Sequence, residues 1–328
     1  MRIRRSLPII VAVLLVAAAV ALVVVLRKHA PPEPARLLPG ADGFVYINLQ
    51  WMRRANLLGE LPPVPHDPEY EQFIQATGFQ FERDLDEAAF AIHYSPPGVQ
   101  PRFSEVFVGK IQGQLLQAYL KRLSSSTENY RSVDIFSIPL EGRTVRVAIL
   151  GIDTVAASNT DDPQVIRGIV DRSRKLASPF AGPALLRQYY KHVPLASLAW
   201  AIFRIDPSRF KSGAGTWSLW FSQPAVGVAS MRYLRELHLR GVAFTGSELE
   251  AKNIADRAAT YLDLFHAAEA STGAPAPDPD IRAFLDSLKI EQQKDRTVLT
   301  ATAPVGLIRK ALAEAPAGVS PEEAPRSH

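Results

Sequence analysis

No cysteine occurs in the 328 residues. That excludes disulfide bridges, thiolate metal sites and a lipid-attachment cysteine. Only His, Asp and Glu remain as strong metal ligands. No two of the seven histidines lie within five residues of each other, and H-E-x-x-H is absent, so no spacing marks a metal centre. G-x-S-x-G, the Walker A loop and G-x-G-x-x-G are missing as well. Their absence removes the usual nucleophile elbow and phosphate cradles, and no cofactor is expected. There is no Asn-x-Ser/Thr sequon. A basic domain is also lacking, although the formal charge is +4. Of 37 Lys and Arg, five (Arg2, Arg4, Arg5, Arg27, Lys28) lie in residues 1–29, which hold no acid; the other 32 are set against 33 Asp and Glu. The surplus belongs to the N-terminal segment, and a nucleic-acid footprint is not expected.

What the chain does have begins with an apolar run. Leu7 to Leu26 is uninterrupted over 20 residues, counting Pro8. A helix of that length spans roughly 30 Å, the thickness of a bilayer's hydrocarbon core. The run is longer than the core of a secretory signal. The best small-x-small site, Ala19-Val20-Ala21, lies inside it, so an uncleaved anchor is expected. Positive charge favours the N-side, by Arg2, Arg4 and Arg5 against Arg27 and Lys28. This places the N-terminus in the cytoplasm and the remainder outside it. The organisation expected is a cytoplasmic N-terminus over 1–6 and a transmembrane helix over 7–26. A Pro-rich spacer over 27–39 follows, then α+β units over 40–178 and 184–315, and a disordered tail over 316–328.

Within these units Val145, Val147 and Ile149 alternate with Thr144, Arg146 and Ala148. Period two with one wet face predicts an antiparallel sheet. Further strands are expected over 43–49, 87–94, 103–110, 133–138, 153–158 and 198–205. Leu115, Leu116, Tyr119, Leu120 and Leu123 form a helical stripe. Asp162-Pro163 starts another helix, and Ser247-Glu248-Leu249-Glu250 is a capping box. The fold class is therefore α+β, with antiparallel sheets and helices packed on one face. Phe107-Val108-Gly109-Lys110 resembles Phe244-Thr245-Gly246-Ser247, and the strand start at Arg143-Thr144-Val145 resembles Arg296-Thr297-Val298. Two repeated units, or one continuous sheet, would both accommodate this.

Leu38-Pro39-Gly40-Ala41-Asp42-Gly43-Phe44-Val45-Tyr46 follows the anchor, and Thr77-Gly78-Phe79-Gln80-Phe81-Glu82-Arg83-Asp84-Leu85-Asp86 precedes a strand. Together they resemble a group of uncharacterised membrane-anchored bacterial proteins with an exported domain of unknown function. The resemblance implies the topology and no activity.

Three clusters bear on chemistry. Thr216-Trp217-Ser218-Leu219-Trp220-Phe221 reads as an aromatic strand. Trp217, Trp220 and Phe221 are either core or a stacking platform for glycan or protein, and burial is the commoner use of such rings. Asp84, Asp86 and Glu87 could form an acid/base pair, or a solvated turn before a strand. Ser208-Arg209-Phe210-Lys211 matches S-x-x-K, but without its partner motifs it reads as a helix start. No catalytic residue and no metal ligand is assigned. The expected protein is a non-catalytic binding or scaffold component of the bacterial inner membrane. One pass would hold its main domain in the periplasm, against an envelope protein or the cell wall. The alternative is a membrane-tethered hydrolase of cell-wall or peptide substrates.

Overall fold

The structure is a computed structural model and describes residues 30–57, 66–96, 99–140, 142–174, 182–208, 220–271 and 278–314. The period-two segments form twelve strands in one sheet, each antiparallel to its neighbours. They are β1 (Gly43–Asn48), β2 (Leu85–His93), β3 (Arg102–Gly109), β4 (Ser126–Tyr130), β5 (Val133–Leu140) and β6 (Arg143–Ile149). The remainder are β7 (Thr154–Ser158), β8 (Ala199–Ile205), β9 (Ala225–Leu234), β10 (Glu236–Phe244), β11 (Lys289–Gln293) and β12 (Arg296–Ala303). Their order is β11-β12-β10-β9-β8-β1-β2-β3-β7-β6-β5-β4.

A seam between β1 and β8 divides this order into five strands and seven. Tyr46 pairs with Trp200 across it, and the two rings stack at 5.6 Å between centroids. On each side the first strand lies at the seam, and the second and third run outward in sequence. After the next helix, the β11–β12 hairpin on one side and the four-strand meander β4–β7 on the other add to the third strand from outside.

Helices cover both faces of the sheet. The elements are α1 (Glu33–Leu37), α2 (Leu49–Arg54), α3 (Pro68–Thr77), α4 (Phe81–Asp84) and α5 (Gly113–Leu123). They continue with α6 (Gln164–Ser173), α7 (Ala184–Tyr189), α8 (Glu248–Ser271), α9 (Pro279–Asp286) and α10 (Val305–Glu314). Ile135 and Phe136 are consecutive in β5, so they point to opposite faces. Ile135 packs with Ile166, Ile169 and Val170 of α6, and α1 and α7 join the same core. Phe136 packs with Leu116 and Leu120 of α5 on the second face. Helix α8 also lies on the second face, through Ile254 against Ile205.

This corrects the expectation of helices on one face. The error lies in alanine. Ala148 was counted on the wet side of β6, yet Ala89, Ala91, Ala148 and Ala156 are all 0% exposed. Small side chains let the first-face helices approach the sheet closely, and they add little to a hydrophobic pattern.

The spacer is also shorter than expected. Pro32 and Pro34 sit at the cap and first turn of α1, where a missing N–H is harmless. Ala35, Leu37 and Leu38 are buried in the first-face core. A Pro-rich spacer is expected over 27–39, but Pro32 and Pro34 start a helix. The anchor expected over 7–26 and the tail expected over 316–328 lie outside the described residues. Among those described, no helix is long and apolar enough to cross a membrane.

Candidate functional site: an apolar cavity under the long helix

On the second face of the five-strand half, four small residues form a square. Gly227 and Ala229 of β9 lie opposite Ala243 and Gly241 of β10. Ala201 and Phe203 of β8 border the square on one side. Thr297 and Leu299 of β12 border it on the other. Strand residues of this size give a helix above them little to rest on. Helix α8 stands over this floor, and a cavity of about 560 Å³ is left between them.

The described lining side chains are apolar apart from Thr297, Trp220 and Tyr261. Ile254, Ala258 and Tyr261 of α8 form the roof, and Leu285 of α9 closes one side. Thr297 is 6% exposed, and its hydroxyl donates to the Ala251 carbonyl at 2.7 Å. Among the described residues no Asp, Glu, Lys, Arg or His lines the space. Of the described lining residues only Tyr261 is ionisable.

Phe203 shapes one end. A Cβ at position 227 would lie 2.7 Å from its ring. Glycine therefore lets the ring lie flat on β9.

Helix α8 also holds the segment that carries two of the predicted aromatic residues. Glu250, in its first turn, is 7% exposed. Its carboxylate accepts from the Ser222 amide at 3.1 Å and the Ser222 hydroxyl at 2.8 Å. Arg257 donates to the Trp220 carbonyl at 3.3 Å. The Trp220 ring lies 4.9 Å from that of Tyr261. The capping box is thus half formed. Ser247 accepts from the Glu250 amide at 3.2 Å, while the Glu250 side chain turns away to Ser222.

Phe221 is buried in the core beside Ile205 and Ile254, and Trp220 packs against that cluster from its edge. Both line the cavity. Trp217 lies outside the described residues. The strand expected over 216–221 is not what its described end adopts, because Trp220 is helical.

The other candidates do not converge. Asp84 is 6% exposed and is gripped by Arg83 at 2.6 Å and the Gln80 amide at 3.0 Å. The Arg83 guanidinium holds its carboxyl below the usual range. Asp86 pairs with Arg53 at 2.5 Å. Glu87 accepts from the Tyr46 hydroxyl at 2.8 Å, and burial raises its carboxyl. These three carboxylates serve three separate partners. Ser208 donates to Asp206 at 2.6 Å, and Lys211 lies outside the described residues. No three His, Asp or Glu side chains converge as a metal site among the described residues.

The cavity was missed in the sequence, although its signal was present. Gly227-x-Ala229 and Gly241-x-Ala243 place small residues two apart on adjacent strands. Only the pairing register reveals that they share one face.

Comparisons with known proteins add little. No family model matches the chain, and no curated protein matches it in sequence. Among solved structures, crystal form III of TP0453 aligns with a TM-score of 0.46 at 11% identity, covering 86% of this chain and 98% of that one. Crystal form IV of TP0453 aligns at 0.45 and 10%, covering 85% and 96%. At these scores the likeness is too distant to carry function, and it assigns the chain to no family.

Proposed function

We propose that the protein is a single-pass envelope protein whose exported domain binds an extended apolar ligand, such as an acyl chain, without transforming it. The observation that carries this reading is the wall of the cavity. A space of about 560 Å³ falls in the range of small-molecule sites, which are about 300–1,000 Å³. Its described wall offers contact area and no charge. An elongated, uncharged ligand segment matches those terms; a peptide or a sugar, with many polar groups to satisfy, does not.

The remaining parts of the reading come from the sequence. Leu7–Leu26 is the anchor and the flanking charges put the N-terminus in the cytoplasm. The cavity-bearing domain is then periplasmic, as in the membrane-anchored group that the chain resembles. The two halves are the products of duplication, supported by their common order outward from the seam. Trp220 and Phe221 serve as ligand contacts, with Trp217 as a third on the same segment.

The test is photo-crosslinking of full-length protein in lipid nanodiscs with a diazirine fatty acid. Adducts are expected on α8 and on residues 220–221. Gly241→Leu fills the floor, since a Cβ there meets nothing closer than 4.0 Å. It should keep the fold and lose most of those adducts. Adducts that map elsewhere, or that persist in a folded Gly241→Leu protein, would sink the reading.

A further inference from the structure

The strand end near which the chain enters carries exposed apolar side chains. Glu33, the first residue of α1, acts electrostatically on Glu87, which pairs with Asn48 at the end of β1. Residue 30 therefore lies near this strand end.

Three large apolar side chains protrude around the same end. Trp51, in the helix that follows β1, is 55% exposed. Leu195, just before β8, is 49% exposed, and Leu234, at the tip of the β9–β10 hairpin, is 59% exposed. The backbone links them: the Asn48 amide donates to the Leu198 carbonyl at 2.7 Å, and the Leu198 amide to the Met231 carbonyl at 2.8 Å. At about 4.8 Å per strand, the path from β1 to β10 is roughly 14 Å. Arginines stand among these side chains. Arg54 lies over the Trp51 ring at 5.6 Å, Arg235 turns the hairpin at φ +74°, and Arg232 is three residues beyond the Ala229 floor position. Arg54, Arg232 and Arg235 form no ion pair among the described residues. Of the nearby acids, Asp86 is bound to Arg53 and Glu87 to Tyr46; Glu33, Asp153 and Glu236 remain.

We propose that this end of the sheet rests on the membrane surface, with Trp51, Leu195 and Leu234 in the interfacial layer and Arg54, Arg232 and Arg235 on anionic headgroups. The proposal rests on reading Leu7–Leu26 as the anchor. Three residues then separate Leu26 from residue 30, and the four extended steps between those two span at most about 14 Å. The interfacial layer takes up about half of it. A tether this short does not lift the entry end clear of the headgroups. Amphipathic rings, aliphatic tips and arginines are the side chains that such a layer accommodates, and anionic lipid attracts basic residues near the surface.

The missing cysteines make the test direct. Single-cysteine variants Leu195→Cys and Leu234→Cys of the full chain carry nitroxide labels, as do Val16→Cys in the anchor and Val99→Cys at the opposite strand end. The chain is reconstituted in vesicles of phosphatidylcholine with phosphatidylglycerol, and of phosphatidylcholine alone. Accessibility to oxygen against a water-soluble nickel chelate gives label depth. Labels at 195 and 234 should sit at interfacial depth in the mixed vesicles and shallower in phosphatidylcholine, while the label at 99 stays aqueous. Aqueous labels at 195 and 234 with a buried label at 16 overturn the docking and leave the anchor standing. An aqueous label at 16 sinks the anchor reading; docking then stands only if 195 and 234 remain immersed. Equal depth in both vesicle types overturns the role of the arginines. A label at 234 shielded from both relaxants reports a protein contact and overturns the proposal.

Discussion

At the scale of single residues, burial without a partner is the exception that has measurable consequences. Glu105 in β3 is half-buried on the second face, and burial alone raises its carboxyl above the ordinary glutamate value of 4.5. The folded site therefore keeps a proton that the unfolded chain has released. Its contribution to stability is full below about 4.5 and is lost as pH rises through the folded value. Glu105→Gln removes this titration. At neutral pH it should stabilise the protein by about 1 kcal/mol, and urea denaturation at a series of pH values should show the gain vanishing near pH 4.5. A constant gain across that range would show that desolvation of this carboxylate is not the cause. Glu87 is raised by burial too, but it has the Tyr46 hydroxyl to accept from. That partner makes it a worse test. The sequence shows neither difference, because Glu105 and Glu87 both stand in strands of similar composition. Only the register of the neighbouring strands separates them.

At the scale of elements, the link between α8 and residues 220–222 decides how firmly the cavity wall is held. Glu250→Ala removes the acceptor for the Ser222 amide and hydroxyl. Hydrogen bonds to a charged group are worth roughly 2 kcal/mol, and that is the expected loss of stability. Hydrogen exchange should quicken at residues 220–224 while the β8–β9 ladder keeps its protection. Uniform acceleration across the second half would mean that Glu250 supports the whole unit rather than one wall. Much at this scale was legible beforehand. The strands expected over 43–49, 87–94, 103–110 and 198–205 start and end within two residues of those found. Alternation of large and polar side chains carried them. The exceptions share one cause, namely small residues. Alanine hid the buried first face, and paired glycines and alanines hid the cavity floor. A pattern of large and polar side chains is silent about positions whose role is to leave room.

At the scale of the whole molecule, one sheet joins the two halves. Five residues of β1 pair with β8, and the first-face core draws Phe44 and Tyr46 from one half and Trp200 and Ile202 from the other. Such sharing should make unfolding a single event for residues 30–314. A fluorophore attached at Leu195→Cys, beside the seam, and one at Leu140→Cys, far out in the seven-strand half, should report the same urea midpoint. Two separated midpoints would mean that the halves stand alone. The seam also sets an order in time. β1 is the first strand of the sheet to leave the ribosome, and β8 follows it by some 150 residues. At about 5–20 residues per second, β1 waits roughly 8–30 s for its second neighbour. Through that interval a strand reading Gly-Phe-Val-Tyr-Ile-Asn has one ladder edge open. An edge of that composition pairs readily with other chains. The growing protein is therefore most open to mispairing before its second half is made, and a pause in translation between residues 48 and 205 would lengthen that exposure.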